Sequence, residues 1–107
     1  MFDSYQIEIP PSFIGLHADA RGRLTMPAPY LRERYELCED LAQHLTEHCR
    51  GIHVEIGVDE QEVLQRCERG LLSPDSVVTA AEARWVVTRL AELLSWPHPA
   101  LTPPDPS

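Results

Sequence analysis

The stretch that decides the fold is YLRERYELCEDLAQHLTEHCRGIHVEI, residues 30–56. Its apolar residues recur at spacings of three and four, at Leu31, Tyr35, Cys38, Leu41, Ala42, Leu45, Cys49, Ile52 and Ile56. This spacing places them on one face of an α-helix, with charged side chains on the other faces. Gly51 weakens such a helix by roughly 1 kcal/mol relative to alanine, and Gly57 is the expected stop. The stretch therefore predicts one long amphipathic helix.

Two shorter helices follow, each with a capping signal at its start. Asp59 precedes Glu62 by three positions, and Thr79 precedes Glu82 in the same way, as in a capping box. The predicted buried positions are Val63, Leu64, Cys67 and Leu71 in the first of these helices, and Ala83, Val86, Val87, Leu90, Leu93 and Leu94 in the second. Pro97 ends the last helix. The predicted fold is all-α, a three-helix bundle with one long helix.

The remaining segments flank this bundle. Residues 1–26 are predicted to be an extended or turn segment that packs on the bundle, which occupies residues 27–96. Within the first segment, residues 10–18 fit either helix or strand, and Pro11 near the start favours helix. Residues 97–107 are nearly half proline, so we expect a disordered, extended tail.

Charge and composition limit the classes of partner. The net charge is −8, from 17 acidic and 9 basic residues, which disfavours nucleic acid and anionic membranes and allows basic protein partners. All nine basic residues are arginine, and lysine and asparagine are absent, a bias typical of GC-rich bacterial genomes. No apolar run is long enough to cross a bilayer, and the three cysteines form no CxxC pair, so we expect a cytoplasmic protein.

The motif most suggestive of catalysis is His44-Leu45-Thr46-Glu47-His48, which has the H-x-x-E-H form of the inverted zinc-peptidase signature. Histidines four apart share a helix face and can bind one Zn²⁺, with the glutamate as base. A catalytic zinc also needs a third protein ligand and a cleft. The competing interpretation, which we favour, makes both histidines partly buried residues at the border of the apolar face. We therefore predict no metal, no cofactor and no catalytic residue, with His44, Glu47 and His48 as the metal-site alternative.

The cysteines are expected to be small core residues. Cys38 and Cys49 would lie about 16 Å apart on one helix, beyond the limit of about 7 Å between the Cα atoms of a disulfide. Cys67 faces the core of the second helix and can approach one of them. A zinc site of Cys49 and Cys67 with His48 or His53 is the alternative, although its spacing matches no standard pattern.

Other catalytic motifs are missing from the sequence. It contains neither GxxxxGK nor GxSxG, which excludes P-loop nucleotide hydrolysis. Trp85 and Trp96 are eleven residues apart and share a direction on the last helix, where they either pack in the core or anchor a partner. The candidates for an interaction surface are Leu31, Tyr35, Trp85 and Trp96.

Two resemblances to known families follow from short segments. Residues 19–27, DARGRLTMP, resemble the D-x-x-G-R-hydrophobic-T-hydrophobic-P hairpin of AbrB- and MraZ-like transcription regulators, which implies DNA binding through that hairpin. The segments IPPSF (9–13), DARGRL (19–24), RYELCEDLA (34–42) and AEARWVVTRLAELL (81–94) together resemble a small, uncharacterised proteobacterial family sometimes labelled as ATPases with chaperone activity. The resemblance to that family assigns no catalytic residue in this sequence.

These observations together predict a non-enzymatic helical protein–protein interaction module, an adaptor or regulatory protein that binds a protein partner or a second copy of itself. A metal-dependent hydrolase using residues 44–48 and a DNA-binding regulator using residues 19–27 are the alternatives.

Overall fold

The computed structural model describes residues 9–97, and its regular structure is helical. The elements are α1 (Pro11–Ile14) with a 3-10 turn (Gly15–His17), α2 (Ala28–Gly51) with a π-helical turn (Ile52–Ile56), α3 (Glu60–Leu71) and α4 (Ala80–Leu94). The all-α fold with one long helix is confirmed. Residues 1–8 of the predicted extended or turn segment and the proline-rich tail after Pro97 lie outside the described residues. None of the helices within residues 9–97 has both the length and the apolar character needed to cross a membrane.

The chain divides into two compact units inside α2, the first ending at Leu37 and the second beginning at Cys38. In the first unit, Phe13 of α1 is fully buried. Its ring meets that of Tyr35 edge-on, with centroids 5.6 Å apart and planes inclined by 68°. Through this contact α1 packs on the first part of α2, which belongs to the same unit. The favoured helical interpretation of residues 10–18 is confirmed by α1 and its 3-10 turn.

The loop between α1 and α2 forms a small hairpin. An isolated antiparallel bridge joins Ala18 to Leu24. The Asp19 carboxylate accepts hydrogen bonds from the backbone N–H groups of Arg21 and Arg23, both at 2.9 Å, as aspartate commonly does in turns. The segment that resembles the transcription-regulator hairpin therefore has a local hairpin shape, and α2 follows it directly.

The end of α2 differs from the predicted pattern. Gly51 keeps helical dihedral angles, and the helix continues through the π-helical turn until Gly57, whose φ of +83° ends it. A π-helical turn bonds residue i to i+5 and so holds more residues than an α-helical turn. Spacings of three and four therefore no longer keep side chains on one face. Ile56, predicted on the apolar face, is consequently 60% exposed.

Local side-chain bonds define the starts of α3 and α4. The capping box at α4 is confirmed, because the Thr79 N–H donates to the Glu82 carboxylate at 3.0 Å and the Glu82 N–H donates to the Thr79 hydroxyl at 3.1 Å. At α3 only half of the box forms. The Asp59 carboxylate accepts from the Glu62 N–H at 2.8 Å, but the Glu62 carboxylate accepts from Arg66 Nε at 2.9 Å.

In the second unit, the end of α2 packs with α3 and α4 around one hydrophobic cluster. Its members are Cys49, Val63, Leu64, Cys67, Val87, Leu90, Ala91 and Leu94. Leu45, Ile52, Val58, Leu71 and Trp96 are partly buried against it. The predicted core faces of α3 and α4 are thus largely confirmed, with Leu71 and Leu93 only half-buried.

An ion pair joins α4 to α2 across 50 positions of sequence. Arg89 donates to the two carboxylate oxygens of Glu39 at 2.9 and 3.1 Å, a bidentate geometry that strengthens such bonds. The hydrogen bond from Arg89 holds the pKa of Glu39 below its ordinary value of 4.5, against the opposing effect of burial. The pair therefore contributes to stability only while Glu39 is ionised.

We predict that Glu39→Gln lowers the free energy of unfolding by about 1 kcal/mol at pH 7. Arg89 loses its charged partner on α2 and keeps its ion pair with Glu92 on α4. The folded-state pKa of Glu39 lies below the unfolded value, so the contribution is present above pH 4.5 and is lost as the pH falls below it. The difference between wild type and Glu39→Gln, measured by urea unfolding, should therefore shrink as the pH is lowered through this range. A difference that stays constant down to pH 3 would contradict this explanation.

We also predict opposite effects of alanine at two glycines, Gly57 and Gly70. A Cβ atom meets nothing within 4 Å at either position, but Gly57 has a φ of +83°. Gly57→Ala should cost about 1 to 2 kcal/mol, since left-handed backbone is unfavourable for residues with a Cβ. Gly70→Ala, within α3, should add up to about 1 kcal/mol through helix propensity. Urea unfolding of the two variants measures both changes in the free energy of unfolding. Equal changes would be inconsistent with the backbone conformations of Gly57 and Gly70.

Candidate functional site

The chemically most distinctive feature of the second unit is a pair of cysteine thiols. Cys49 on α2 and Cys67 on α3 place their Sγ atoms 3.0 Å apart in the buried cluster. Neither forms a disulfide, and Cys38 does not form one either. The prediction that Cys67 can approach another cysteine is confirmed, and the predicted burial of Cys38 and Cys49 is confirmed as well, since neither is exposed at all.

Cys67 also borders an apolar groove between α2 and α3, which we call the α2–α3 groove. The groove has a volume of about 210 Å³, and the residues that line it are Leu45, His48, Ile52, Arg66, Cys67, Gly70 and Leu71. Cys67 is 9% exposed, whereas Cys49 is fully buried. The two thiols therefore differ in access, because only Cys67 lines this opening to the surface.

The close contact shifts the two thiol pKa values in opposite directions. The hydrogen bond from Cys49 lowers the pKa of Cys67 below its ordinary value of 9.0, although burial opposes the shift. The same bond raises the pKa of Cys49, and burial raises it further. Cys67 is consequently the thiol on which a negative charge forms more readily, and thiolates are the nucleophilic form of cysteine.

The predicted H-x-x-E-H residues lie on the surface of α2. His44, Glu47 and His48 are all exposed, so the expectation of partly buried histidines is wrong: that stretch of the helix turns both of them towards solvent. His44 Nδ1 donates to the Asp40 carbonyl at 2.9 Å. His48 is at the rim of the α2–α3 groove.

Of the two histidines in the alternative cysteine zinc site, His48 is exposed at the rim of the groove and His53 has other contacts. His53 Nδ1 donates to the Val58 carbonyl at 2.8 Å, and its ring lies 5.2 Å from that of Trp96, tilted by 58°. Across residues 9–97, no group of three or more histidine, cysteine, aspartate or glutamate side chains is arranged to hold a metal ion. The described residues thus supply two close sulfur atoms without a third donor.

The candidates for an interaction surface have different environments. Leu31 is only 3% exposed, so it belongs to the interior, contrary to the expectation. Tyr35 is half-buried against Phe13. Trp85 and Trp96 are both half-buried, and Trp96 packs against the cluster and against His53.

The three most exposed of the large apolar side chains belong to other residues, and of these only Ile56 had a predicted position. Val54 is 77% exposed, Ile56 60% and Val77 64%. Gly70 and Arg66, which border the groove, were also missed. The spacing of Gly70 and Leu71, three and four positions after Cys67 on the same helix, is a signal that would have placed them beside Cys67.

Comparisons of this chain with protein-family models, with curated proteins and with solved structures find no match.

We predict that the alkylation rate of Cys67 rises with pH with a midpoint below 9.0, and that Cys49→Ala moves this midpoint upward because the donated hydrogen bond is lost. Iodoacetamide labelling of Cys67, quantified by peptide mass spectrometry over a pH series, gives the midpoint. Cys38→Ala is the matched control and should leave it unchanged. A midpoint that Cys49→Ala does not move would show that Cys49 has no influence on the Cys67 thiolate.

Proposed function

We propose that this chain is a non-enzymatic protein–protein interaction module that binds an amphipathic helix of a partner protein in the α2–α3 groove. The observation that supports this most is the apolar character of the groove. Leu45, Ile52 and Leu71 remain only half-buried there. Apolar surface of this kind at the border of a core is typical of contact sites.

The size of the groove favours a protein side chain over a small molecule. Its volume of about 210 Å³ is below the range of roughly 300–1,000 Å³ that is usual for ligand sites. One or two apolar side chains of a helix fit a groove of this size, as in helix-in-groove recognition. The exposed Val54 and Ile56 follow Ile52 in the π-helical turn and offer further apolar surface at the end of α2.

Charge favours a different protein over a second copy as the occupant. The chain carries a net charge of −8, so two copies repel each other at long range, whereas a basic partner is attracted. We therefore propose a partner helix with apolar residues on one face and basic residues around them. Self-association is the competing outcome of the test below.

The two alternative functions stay predictions. A metal-dependent hydrolase is supported by the sequence pattern of His44, Glu47 and His48, and a DNA-binding regulator by the hairpin shape of the loop before α2. The resemblance to the family labelled as ATPases with chaperone activity, and the proposals of a bacterial source and of a cytoplasmic location, likewise rest on sequence alone.

We predict that Gly70→Gln blocks the groove without unfolding the protein. Gly70 lines the groove, and a Cβ there meets nothing within 4 Å, so the longer side chain extends along the groove while helix propensity improves. Gly51→Gln is the matched control, because Gly51 is also helical, also has open space around its Cβ, and does not line the groove. Capture of the partner from lysate of the native cells should fall by about tenfold or more with Gly70→Gln.

The control variant should capture as much of the same partner as wild type does. Raising the salt concentration should weaken capture, since attraction between opposite charges is screened. Equal capture by both glutamine variants would refute the groove as the binding site. A stable homodimer in light scattering, lost in Gly70→Gln, would identify a second copy as the occupant instead, and stoichiometric zinc in the tag-free protein would favour the hydrolase.

A further inference from the structure

The sulfur atoms of Cys49 and Cys67 are almost close enough to form a disulfide bond. Its Sγ–Sγ separation of 3.0 Å is only about 1 Å longer than a disulfide bond. The two residues come from different helices whose backbones already hold the sulfur atoms in contact. A disulfide therefore requires the two sulfur atoms to approach by only about 1 Å.

Access to the pair is asymmetric. Cys67 lines the α2–α3 groove and is 9% exposed, whereas Cys49 is fully buried behind it. A small oxidant that enters the groove reaches Cys67 first, and Cys49 is then the nearest available thiol. The lowered pKa of Cys67 agrees with this order, since the thiolate is the form that reacts with oxidants.

The third cysteine cannot take part in this pair. Cys38 is fully buried and lies on α2, eleven residues before Cys49, which corresponds to about 16 Å along a helix. A metal site at the pair would need further ligands, and the described part of the chain holds no cluster of three metal-binding side chains. Dithiol oxidation is thus the chemistry that this arrangement favours over metal binding.

We propose that Cys49 and Cys67 are a redox-active dithiol, in which a hydroperoxide oxidises Cys67 and Cys49 then closes an intramolecular disulfide. This inference is independent of the proposed binding function.

The oxidation of the two thiols proceeds in two steps. The Cys67 thiolate attacks the outer oxygen of the hydroperoxide ROOH, the O–O bond breaks, and the released alkoxide takes up a proton to give ROH. Cys67 is then a sulfenic acid. The sulfur of Cys49 attacks the sulfur of Cys67, the S–O bond breaks, and the leaving hydroxide takes the Cys49 proton to form water. Two thiols lose two electrons and two protons in total, and the hydroperoxide becomes ROH and water.

The experiment uses the full, tag-free chain, reduced and then exposed to a small excess of hydrogen peroxide. Remaining thiols are alkylated with N-ethylmaleimide and counted by intact mass under denaturing conditions. Wild type has three cysteines, none of them in a disulfide, and should retain one alkylatable thiol, while Cys38→Ala should lose both of its two. Dithiothreitol should restore the full count, because disulfides are reducible and the higher oxides of cysteine resist it.

Two further variants test the order of the steps. Cys49→Ala should stop at a sulfenic acid on Cys67 that dimedone traps, and Cys67→Ala should give about tenfold less adduct at the buried Cys49. Equal trapping in the two variants would overturn the assignment of Cys67 as the first site. Circular dichroism of both variants serves to check that they are folded.

A thermal measurement on wild type needs no variant. The oxidised protein should melt at a higher temperature than the reduced protein, because a link between positions 49 and 67 restricts the unfolded chain. Dithiothreitol should abolish the shift. The proposal would be refuted if wild type kept three alkylatable thiols under conditions that oxidise glutathione. It would also be refuted if the only disulfides formed were between molecules or with Cys38.

Discussion

Eight apolar side chains from α2, α3 and α4 meet in one cluster, and the arrangement of the second unit depends on their burial. Leu64 and Leu90 are fully buried and each contributes about 1.5 to 3 kcal/mol through the hydrophobic effect. Two of the eight members are cysteines, whose small side chains meet between α2 and α3. The same burial therefore stabilises the fold and brings the two thiols together.

Polar contacts act in two ways in the second unit. A capping box defines where α4 begins, and an ion pair connects α4 to α2. The Thr79–Glu82 capping box satisfies backbone donors at the start of α4, as exposed helix ends require. The Arg89–Glu39 pair connects residues that are 50 positions apart. Surface pairs of this kind contribute little energy, but a bidentate geometry restricts how α4 is aligned with α2.

The α2–α3 groove and the thiol pair share one residue, Cys67, but they rest on different physical properties. The groove depends on apolar side chains that the helices leave half-buried, and its occupant is selected by shape and charge. The thiol pair depends on a distance between two sulfur atoms and on the difference in access between them. The groove is nonetheless the route by which an oxidant reaches Cys67, and a modified Cys67 would lie in the wall of the groove.

Several parts of the structure followed from the sequence alone, because they depend on neighbours in the chain. The apolar spacing of residues 30–56 predicted α2, and Gly57 was correctly identified as its end. The Thr79–Glu82 box depends on residues three apart. The distance from Cys38 to Cys49 also follows from helix geometry, which excludes a disulfide between them.

Only the tertiary structure decided which surfaces are buried and which distant residues meet. The burial of Leu31 and the exposure of His44 and His48 depend on what packs beside α2, which periodicity does not specify. The π-helical turn changes the direction of Ile56, and Glu62 pairs with Arg66 and not with its own helix start. The contact of Cys49 with Cys67 spans 18 residues and two helices, and a sequence pattern determines side-chain direction along one helix but not the distance between two.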